Sequence, residues 1–330
     1  MPRPKALVTR SLLPDALDII RAVADVEVWP DEAPPSVSEL RGLAADADGI
    51  LTTIMDRVDT DLLDAAPDLR VISQLAVGLD NVDVAEATRR GIPVGYTPGV
   101  LAKATADLAF ALLLGAARRT SESARWVRAG GWQIQFHPTH WLGQDVHEAC
   151  LGIVGMGQIG REIARRAGGF DMDIVYHSRT RYPDVEAEYG VRYAEFSALL
   201  GQADFVVLSV PLTPATHHLI STPQLELMKP SSILINVSRG PVVDPAALYV
   251  ALRDRQIARA ALDVTAPEPI APEDPLLTLD NLVITPHIGS AALPTRLNTM
   301  KLAARNLVAG LRGEPMEACA NPEATGSAAL

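Results

Sequence analysis

The stretch at residues 152–160, "GIVGMGQIG", constrains the fold of this chain more than any other. Gly155 closes a short apolar run, and Gly160 opens the helical pattern "IGREIARRAGGF". In this G-x-G-x-x-G spacing the first glycine permits a tight turn, Gly157 lets the backbone approach a pyrophosphate, and the third lets helix and strand pack closely. The helix N-terminus then offers N–H groups and a partial positive charge to the phosphates. A glycine turn can also join a strand to a helix without any ligand. The surrounding sequence therefore decides between a dinucleotide-binding turn and a purely structural one.

Short β-branched runs alternate with helical patterns along most of the chain. The first hundred residues contain five such runs, "KALVTR", "VEVWP", "DGILTT", "LRVISQL" and "IPVGYTP", with helical spacing at 14–22, 37–43 and 82–90. Six more runs follow: "ACLGIVG", "MDIVYHS", "DFVVLSVP", "SSILINVS", "ARAALDV" and "NLVITPH". Such alternation is typical of βαβ units and parallel sheets. We therefore predict an α/β fold with two doubly wound parallel sheets, the second of which binds a dinucleotide at the glycine turn.

Three other segments lead to structural predictions. Residues 101–129 contain one glycine, Gly115, and no proline, which predicts one long helix, with a kink in it as the open alternative. A last helix is predicted at 294–312, and the small polar tail at 321–330 is expected to fray. The loop after the long helix is rich in aromatic side chains, which predicts an arm that docks onto another surface. Its aromatic residues are Trp132, Phe136 and Trp141.

Composition excludes several classes of protein. The net charge of −11 argues against a general binder of nucleic acid or anionic membrane. The two cysteines are too few for a disulfide scaffold and are typical of a reducing compartment, so we expect a cytoplasmic location. The N-terminus has no signal-peptide core, and the longest apolar run, 108–117, is about half the ~20 residues of a membrane span. The histidines show no metal-ligand spacing, so we expect no metal site.

The end of the strand after the glycine turn, "IVYHSRTR" at 174–181, carries no acidic residue. An acid there would bind the adenosine ribose and repel a 2′-phosphate. Here Ser178 supplies a hydroxyl and Arg179 a guanidinium suited to bidentate phosphate binding, with Thr180 beside them and Arg181 as a candidate second cation. The predicted cofactor is therefore NADP(H) in preference to NAD(H). Stacking of Arg179 on the adenine, with use of both cofactors, is the open alternative.

Three stretches near strand ends carry the strongest chemistry: "NVSRG" with Arg239, "APEP" with Glu268 and "TPHIGS" with His287. In a doubly wound sheet the carboxyl ends of the strands lie at one edge, where ligands bind. Histidine suits proton transfer near neutral pH, and an adjacent carboxylate favours its protonated form. A guanidinium matches a planar carboxylate with two parallel hydrogen bonds. Each residue alone has an equally ordinary reading as a surface charge or a strand-end histidine, but their combination favours a catalytic set.

The sequence resembles the D-isomer-specific 2-hydroxyacid dehydrogenase family, and within it the glyoxylate/hydroxypyruvate reductases, over nearly the whole chain. The motifs are "AVGLDNVD" (76–83), "GIVGMGQIG" (152–160), "DFVVLSVPLTPATHHLI" (204–220), "ILINVSRGPVVD" (233–244), "ALDV" (261–264) and "TPHIGSA" (285–291). The resemblance implies a Rossmann dinucleotide-binding domain at 100–287, inserted into a flavodoxin-like substrate domain formed by 1–99 and 288–330. It also implies a homodimer that reduces glyoxylate or hydroxypyruvate to the D-2-hydroxy acid with NAD(P)H.

The resemblance further implies residue roles. Arg239 would hold the substrate carboxylate and polarise the keto oxygen, while His287 would act as general acid paired with Glu268. Trp141 would lie near the partner subunit's substrate site, or else simply pack at the interface, and Asp263 would bind the nicotinamide carboxamide. Substrate contacts are implied for Arg239, Trp141 and the backbone N–H groups of Val77 and Gly78. Cofactor contacts are implied for Thr105, Gly155, Gly157, Gln158, Ile159, Gly160, Ser178, Arg179, Thr180, Pro211, Val237, Ser238, Asp263 and His287.

Other functions stay open at this point. The chain has "DVTAPEP" where the family often has "DVFEEEP", so the loop before Glu268 is expected to differ and to change the pocket. A reductase of bulkier 2-keto acids and a phosphite dehydrogenase are alternatives, although the latter carries a lysine where this chain has Val77. A dinucleotide-sensing corepressor is the alternative outside the enzymes; such proteins carry long flexible tails, which are not expected here.

Overall fold

The computed structural model describes residues 2–325. The chain divides into two compact units. One unit runs to Leu101 and resumes at Ala291, and the other is Ala102–Ser290. Among the described residues, no helix is long and apolar enough to cross a lipid bilayer.

The first unit is built on a five-stranded parallel sheet. The strands are β1 (Lys5–Val8), β2 (Asp25–Val28), β3 (Gly49–Thr52), β4 (Val71–Gln74) and β5 (Val94–Gly95). The helices are α1 (Pro14–Arg21), α2 (Val37–Ala44), α3 (Thr60–Ala65), α4 (Val84–Arg89) and, later in the chain, α12 (Leu293–Arg312). The sheet has the order β2-β1-β3-β4-β5, which is the flavodoxin-like order. Every residue of the central strands β3 and β4 is buried, because apolar residues cover both faces of the sheet.

Local sequence explains where these helices begin. Pro14 occupies the first turn of α1, where its missing N–H is not needed. Ser36 caps α2 in a capping box with Glu39. Asp59 and Asp83 accept backbone N–H groups at the starts of α3 and α4.

The second unit contains a seven-stranded sheet in which all registered pairs are parallel. The strands are β6 (Cys150–Val154), β7 (Asp173–His177), β8 (Arg192–Tyr193), β9 (Phe205–Leu208), β10 (Ile233–Asn236), β11 (Arg259–Leu262) and β12 (Leu282–Ile284). The helices are α5 (Ala102–Ala117), α6 (Thr120–Arg128), α7 (Gln158–Ala167), α8 (Pro183–Tyr189), α9 (Phe196–Gln202), α10 (Thr222–Leu227) and α11 (Pro245–Arg253). The sheet order is β12-β11-β10-β9-β6-β7-β8, and it reverses between β6 and β9, which is the switch point of a Rossmann sheet. The two doubly wound sheets confirm the predicted fold class, with β8 as a strand that the sequence patterns did not indicate.

The single helix predicted at 101–129 is wrong, because the chain breaks at Arg119. This residue has a left-handed backbone with φ of 57°, so α5 ends before it and α6 begins after it. The break lets α6 present Glu122 to the Arg259 guanidinium, which contacts both carboxylate oxygens at 2.9 Å. Arg119 also pairs with Glu122, at 3.3 Å. Partners more than a hundred residues apart thus override a locally continuous helical pattern.

The predicted fraying of the tail is wrong for residues 321–325. Asn321 is fully buried, and its amide accepts a hydrogen bond from the Val94 N–H (2.7 Å). The same amide donates to the Ile92 carbonyl (3.0 Å) and the Thr88 hydroxyl (2.9 Å). A short 3-10 turn, Pro322–Thr325, follows. The rest of the predicted tail, 326–330, lies outside the described residues.

Candidate active site

The glycine turn lies between β6 and α7. Gly155 has φ of 100°, and a Cβ there would lie 2.8 Å from the Ser209 carbonyl oxygen. A Cβ on Gly160 would overlap the Gly155 carbonyl oxygen. Gly157, at the N-cap of α7, is different, because a Cβ there would meet no atom within 4 Å. Packing therefore explains Gly155 and Gly160. Gly157, in contrast, leaves open space beside a helix N-terminus, as the close approach of a pyrophosphate requires.

The residues after β7 separate the two candidate cations. Arg179 is exposed and forms no hydrogen bond or ion pair with any described residue. Arg181, in contrast, donates two hydrogen bonds of 2.8 Å to Glu186. That guanidinium, assisted by the Tyr176 hydroxyl at 2.8 Å, holds the pKa of Glu186 below its usual value. Ser178 donates to the Thr180 carbonyl. Arg179 is therefore the cation that remains available to a ligand.

A further cation near this strand end escaped the sequence interpretation. Arg161, in the first turn of α7, places its guanidinium 5.0 Å from the centre of the Tyr182 ring. It also lies 3.4 Å from Asp184. Only the coordinates bring α7 and the segment after β7 together, so no local motif could have indicated this contact.

His287 and Glu268 form the central pair of the site. The imidazole Nδ1 is hydrogen-bonded directly to Glu268 Oε1. Both side chains are partly exposed, at 29% and 36%. Because Nδ1 is occupied, Nε2 is the ring atom that can reach a ligand, and it has no partner among the described residues. The pair that the sequence predicted across a gap of 19 residues is thus formed in the structure.

Asp263, directly after β11, holds the segment that carries His287. Its Oδ1 accepts from the Thr285 hydroxyl (2.6 Å) and the Ile288 N–H (2.8 Å). Its Oδ2 accepts from the Gly289 N–H (2.8 Å), and its carbonyl accepts from the His287 N–H (2.9 Å). The carboxylate is 3% exposed. His287 has φ of 53°, and this set of hydrogen bonds maintains that left-handed backbone.

Arg239 follows β10, two strands from β12 in the same sheet. Asn236 fixes its turn, since the amide donates to the Arg239 carbonyl (2.9 Å) and accepts from the Ser238 N–H (3.0 Å) and hydroxyl (2.7 Å). A Cβ on the next residue, Gly240, would overlap the Thr265 carbonyl. The Arg239 turn therefore packs against the loop that leads to Glu268.

The remaining predicted cofactor contacts of this unit lie around the same strand ends. Thr105 is buried on α5, and a Cβ on Gly289 would approach its side chain to 3.3 Å. Val237 and Ser238 are buried in the turn after β10, and Pro211 is exposed after β9. Gln158 and Ile159 begin α7. Within the described chain, no group of three His, Cys, Asp or Glu side chains could hold a metal ion.

Trp141 lies in the aromatic loop after α6. Its ring centre is 5.4 Å from that of Trp126, and the Arg119 guanidinium lies 4.8 Å from the ring. These contacts belong to its own unit and hold the base of the loop. Other large apolar side chains of the loop are exposed, and they include Trp132, Ile134, Phe136 and Leu142.

The loop after β4 in the first unit carries Val77 and Gly78, which are both partly exposed. Asn81 fixes its far end, donating to the carbonyls of Thr53 (3.0 Å) and Asp56 (2.6 Å). The same amide accepts from Gln74 Nε2 (2.8 Å). The loop is therefore held at both ends by buried or half-buried polar groups.

The glycine turn and the switch point of the seven-stranded sheet are those of a dinucleotide-binding Rossmann domain. The model of the D-isomer specific 2-hydroxyacid dehydrogenase NAD binding domain matches residues 110–289. The chain belongs to the D-isomer specific 2-hydroxyacid dehydrogenase family.

Relatives cover almost the whole chain. It is 49% identical over 312 residues to a glyoxylate reductase of Korarchaeum cryptofilum, covering 94% of each chain. A solved structure from Thermus thermophilus has 44% identity and a TM-score of 0.91, over 96% of this chain and 99% of that one. An NADPH-dependent glyoxylate/hydroxypyruvate reductase from Sinorhizobium meliloti, solved with NADP and malonate, has 31% identity and a TM-score of 0.86 over 100% of both chains.

Proposed function

We propose that this protein reduces a small 2-keto acid, glyoxylate or hydroxypyruvate, to the corresponding D-2-hydroxy acid with NADPH. The observation that carries the proposal is the hydrogen-bonded His287–Glu268 pair, whose free Nε2 lies at the ligand-binding edge of the Rossmann sheet. Relatives named glyoxylate reductase, 45–49% identical, support the substrate class.

Each residue has a defined task in this reaction. The bound reduced nicotinamide supplies the hydride. His287 Nε2 gives a proton to the developing alkoxide, and Glu268 on Nδ1 orients the ring and stabilises the imidazolium. Arg239 binds the substrate carboxylate bidentately and polarises the keto oxygen. Val77 and Gly78 are proposed as further substrate contacts through their backbone N–H groups.

A substrate panel tests the activity. NADPH oxidation is measured with glyoxylate, hydroxypyruvate and a bulkier 2-keto acid, and NAD(P)+ reduction is measured with phosphite. We expect the highest kcat/KM with one of the two small keto acids. Turnover only with phosphite would assign the protein to the phosphite alternative, and NADPH binding without turnover on any compound would favour a dinucleotide sensor.

We propose further that Arg179 gives the protein its preference for NADPH. The argument is that Arg179 is exposed without a partner in the described chain, whereas Arg181 is paired with Glu186. A charge-assisted hydrogen bond contributes about 1.5–3 kcal/mol, so Arg179→Ala should lower kcat/KM for NADPH roughly 10- to 100-fold and leave NADH little changed. Arg192→Ala removes an exposed arginine on the neighbouring strand β8 and serves as the control. An equal loss with both cofactors would instead indicate stacking on the adenine.

We also propose a homodimer formed through the aromatic loop. Phe136 is 78% exposed and Trp132 is 60% exposed, which is a large apolar area to leave in water. Sedimentation should show a dimer that the double change of Trp132 and Phe136 to Ser dissociates, while Leu277→Ser, at an exposed apolar residue elsewhere in this unit, leaves it intact. A wild-type monomer at micromolar concentration would refute the dimer. If Trp141 reaches the partner's site, Trp141→Ala should lower activity in a protein that is still dimeric.

The cytoplasm is the proposed location. Both cysteines, Cys150 and Cys319, are free thiols. Burial, with the nearby carboxylates Asp173 and Asp204, raises the pKa of Cys150 to about 11. A thiol with so high a pKa stays protonated and unreactive near neutral pH. Its free state fits a reducing compartment, although such a thiol would also stay free elsewhere.

A further inference from the structure

The loop that carries Glu268, "VTAPEP" at 264–269, contains a single side-chain hydroxyl, that of Thr265. Thr265 is 9% exposed. Its hydroxyl donates to the Pro267 carbonyl at 2.7 Å, and its backbone N–H lies 3.4 Å from Glu268 Oε2. One residue therefore contacts both the peptide that precedes Glu268 and the carboxylate itself.

Glu268 uses its two oxygens differently. Oε1 contacts His287 Nδ1, and Oε2 faces the Thr265 N–H. The residues on either side of Glu268 are prolines, which have no N–H to donate. Thr265 therefore supports Glu268 in two ways. Its N–H faces the carboxylate, and its hydroxyl holds the peptide that precedes Glu268.

Thr265 is itself fixed from the other side. Its carbonyl packs so closely on Gly240 that a Cβ there would overlap it. Gly240 follows Arg239 directly, and the Asn236 amide holds that turn. The position of Thr265 is therefore set by the turn that carries the arginine, and its hydroxyl extends this support to the Glu268 peptide.

We propose that Thr265 is a positioning residue that keeps the Glu268 carboxylate on His287 Nδ1 during reduction. The proposal rests on the proposed function. Thr265 has no proposed contact with the substrate or with the reacting atoms, so it acts only through the geometry of the His287–Glu268 pair.

The test compares Thr265→Val, which keeps the shape but removes the hydroxyl, with Thr265→Ser, which keeps the hydroxyl. With Thr265→Val we expect kcat for glyoxylate reduction to fall about 3- to 10-fold, the loss that one neutral hydrogen bond typically produces, with KM nearly unchanged. Thr265→Ser should restore kcat to within about twofold of wild type.

A second readout does not require turnover. The NMR signal of the Nδ1–H proton between His287 and Glu268 reports their contact, and His287→Asn assigns it. In Thr265→Val this signal should broaden or disappear, whereas in Thr265→Ser it should remain. An unchanged signal in a folded Thr265→Val, or equal defects in both variants, would overturn the positioning role. Wild-type protein inactive on every keto acid would instead refute the proposed function, and the Nδ1–H signal would still decide the role of Thr265.

Discussion

Asp263→Asn tests the way in which the structure holds His287. Both carboxylate oxygens accept backbone N–H groups, from Ile288 and from Gly289, so the new NH₂ group must face one of these donors whichever way it turns. A hydrogen bond to a charged group contributes about 1.5–3 kcal/mol, and leaving the buried Gly289 N–H unpaired adds to the loss. We expect the second unit to lose about 2–4 kcal/mol of unfolding free energy, which corresponds to roughly 4–16 °C in Tm.

The same change should slow catalysis. A general acid displaced by about 1 Å can lose about 100-fold in rate, so kcat should fall by this order when both substrates are saturating. Asp244→Ala is the control, because it removes the N-cap of α11, where the side chain accepts from Ala246 and Ala247. It should cost about 1 kcal/mol and leave kcat unchanged.

Calorimetry without cofactor and steady-state kinetics measure the two effects. If Asp263→Asn kept the wild-type Tm and kcat and only raised KM for NADPH, the residue would be a cofactor contact rather than the support of the 285–289 segment. Loss of both Tm and kcat, with Asp244→Ala losing only Tm, would agree with the geometry.

Four other changes test three separate parts of the structure. Gly160→Ala should fail to fold, because its Cβ would overlap the Gly155 carbonyl. Gly157→Ala should keep the wild-type Tm and bind NADPH at least about tenfold more weakly. Equal behaviour of the two variants in calorimetry and in NADPH titration would refute this difference. Asn81→Ala should raise KM for glyoxylate about tenfold with a smaller change in kcat, since it releases the loop that carries the proposed substrate contacts Val77 and Gly78. An unchanged KM would contradict a role of this loop in substrate binding. Glu268→Gln should lower kcat about 10- to 100-fold, because the imidazole loses a charge-assisted hydrogen bond of about 1.5–3 kcal/mol, and a kcat equal to that of wild type would contradict the pairing.

Most strands were predictable because they lie in short apolar runs, many of them β-branched, bounded by turn residues, and all but one were recognised. The exception, β8, has only two residues, which is too few for a pattern. The break at Arg119 was not predictable, since no proline or glycine marks it and its cause is the distant Arg259. Asn321 was likewise read as part of a loose tail, although its partners lie in the first hundred residues.

Some contacts of the site were likewise predictable from the sequence, and others were not. The placement of His287 and Glu268 at one sheet edge was predictable because parallel strands deliver their carboxyl ends to the same edge, while their pairing was implied by the family resemblance. The supports of the site were not, since Asp263 was read only as a cofactor contact and neither Asn236 nor Thr265 was singled out. Asn236 had a usable signal, as an Asn at the end of a buried strand often holds the next turn through its side chain. The bond from Thr265 to Pro267 depends on a loop conformation that no spacing rule describes.

The most direct test of the central claim is kcat/KM for glyoxylate reduction by His287→Asn. Asparagine is the suitable replacement because it tolerates the left-handed backbone at this position, where φ is 53°. With NADPH affinity unchanged, we expect a fall of about 100- to 10,000-fold, the range that loss of a general acid produces. Activity within about tenfold of wild type would show that the imidazole is not the proton donor.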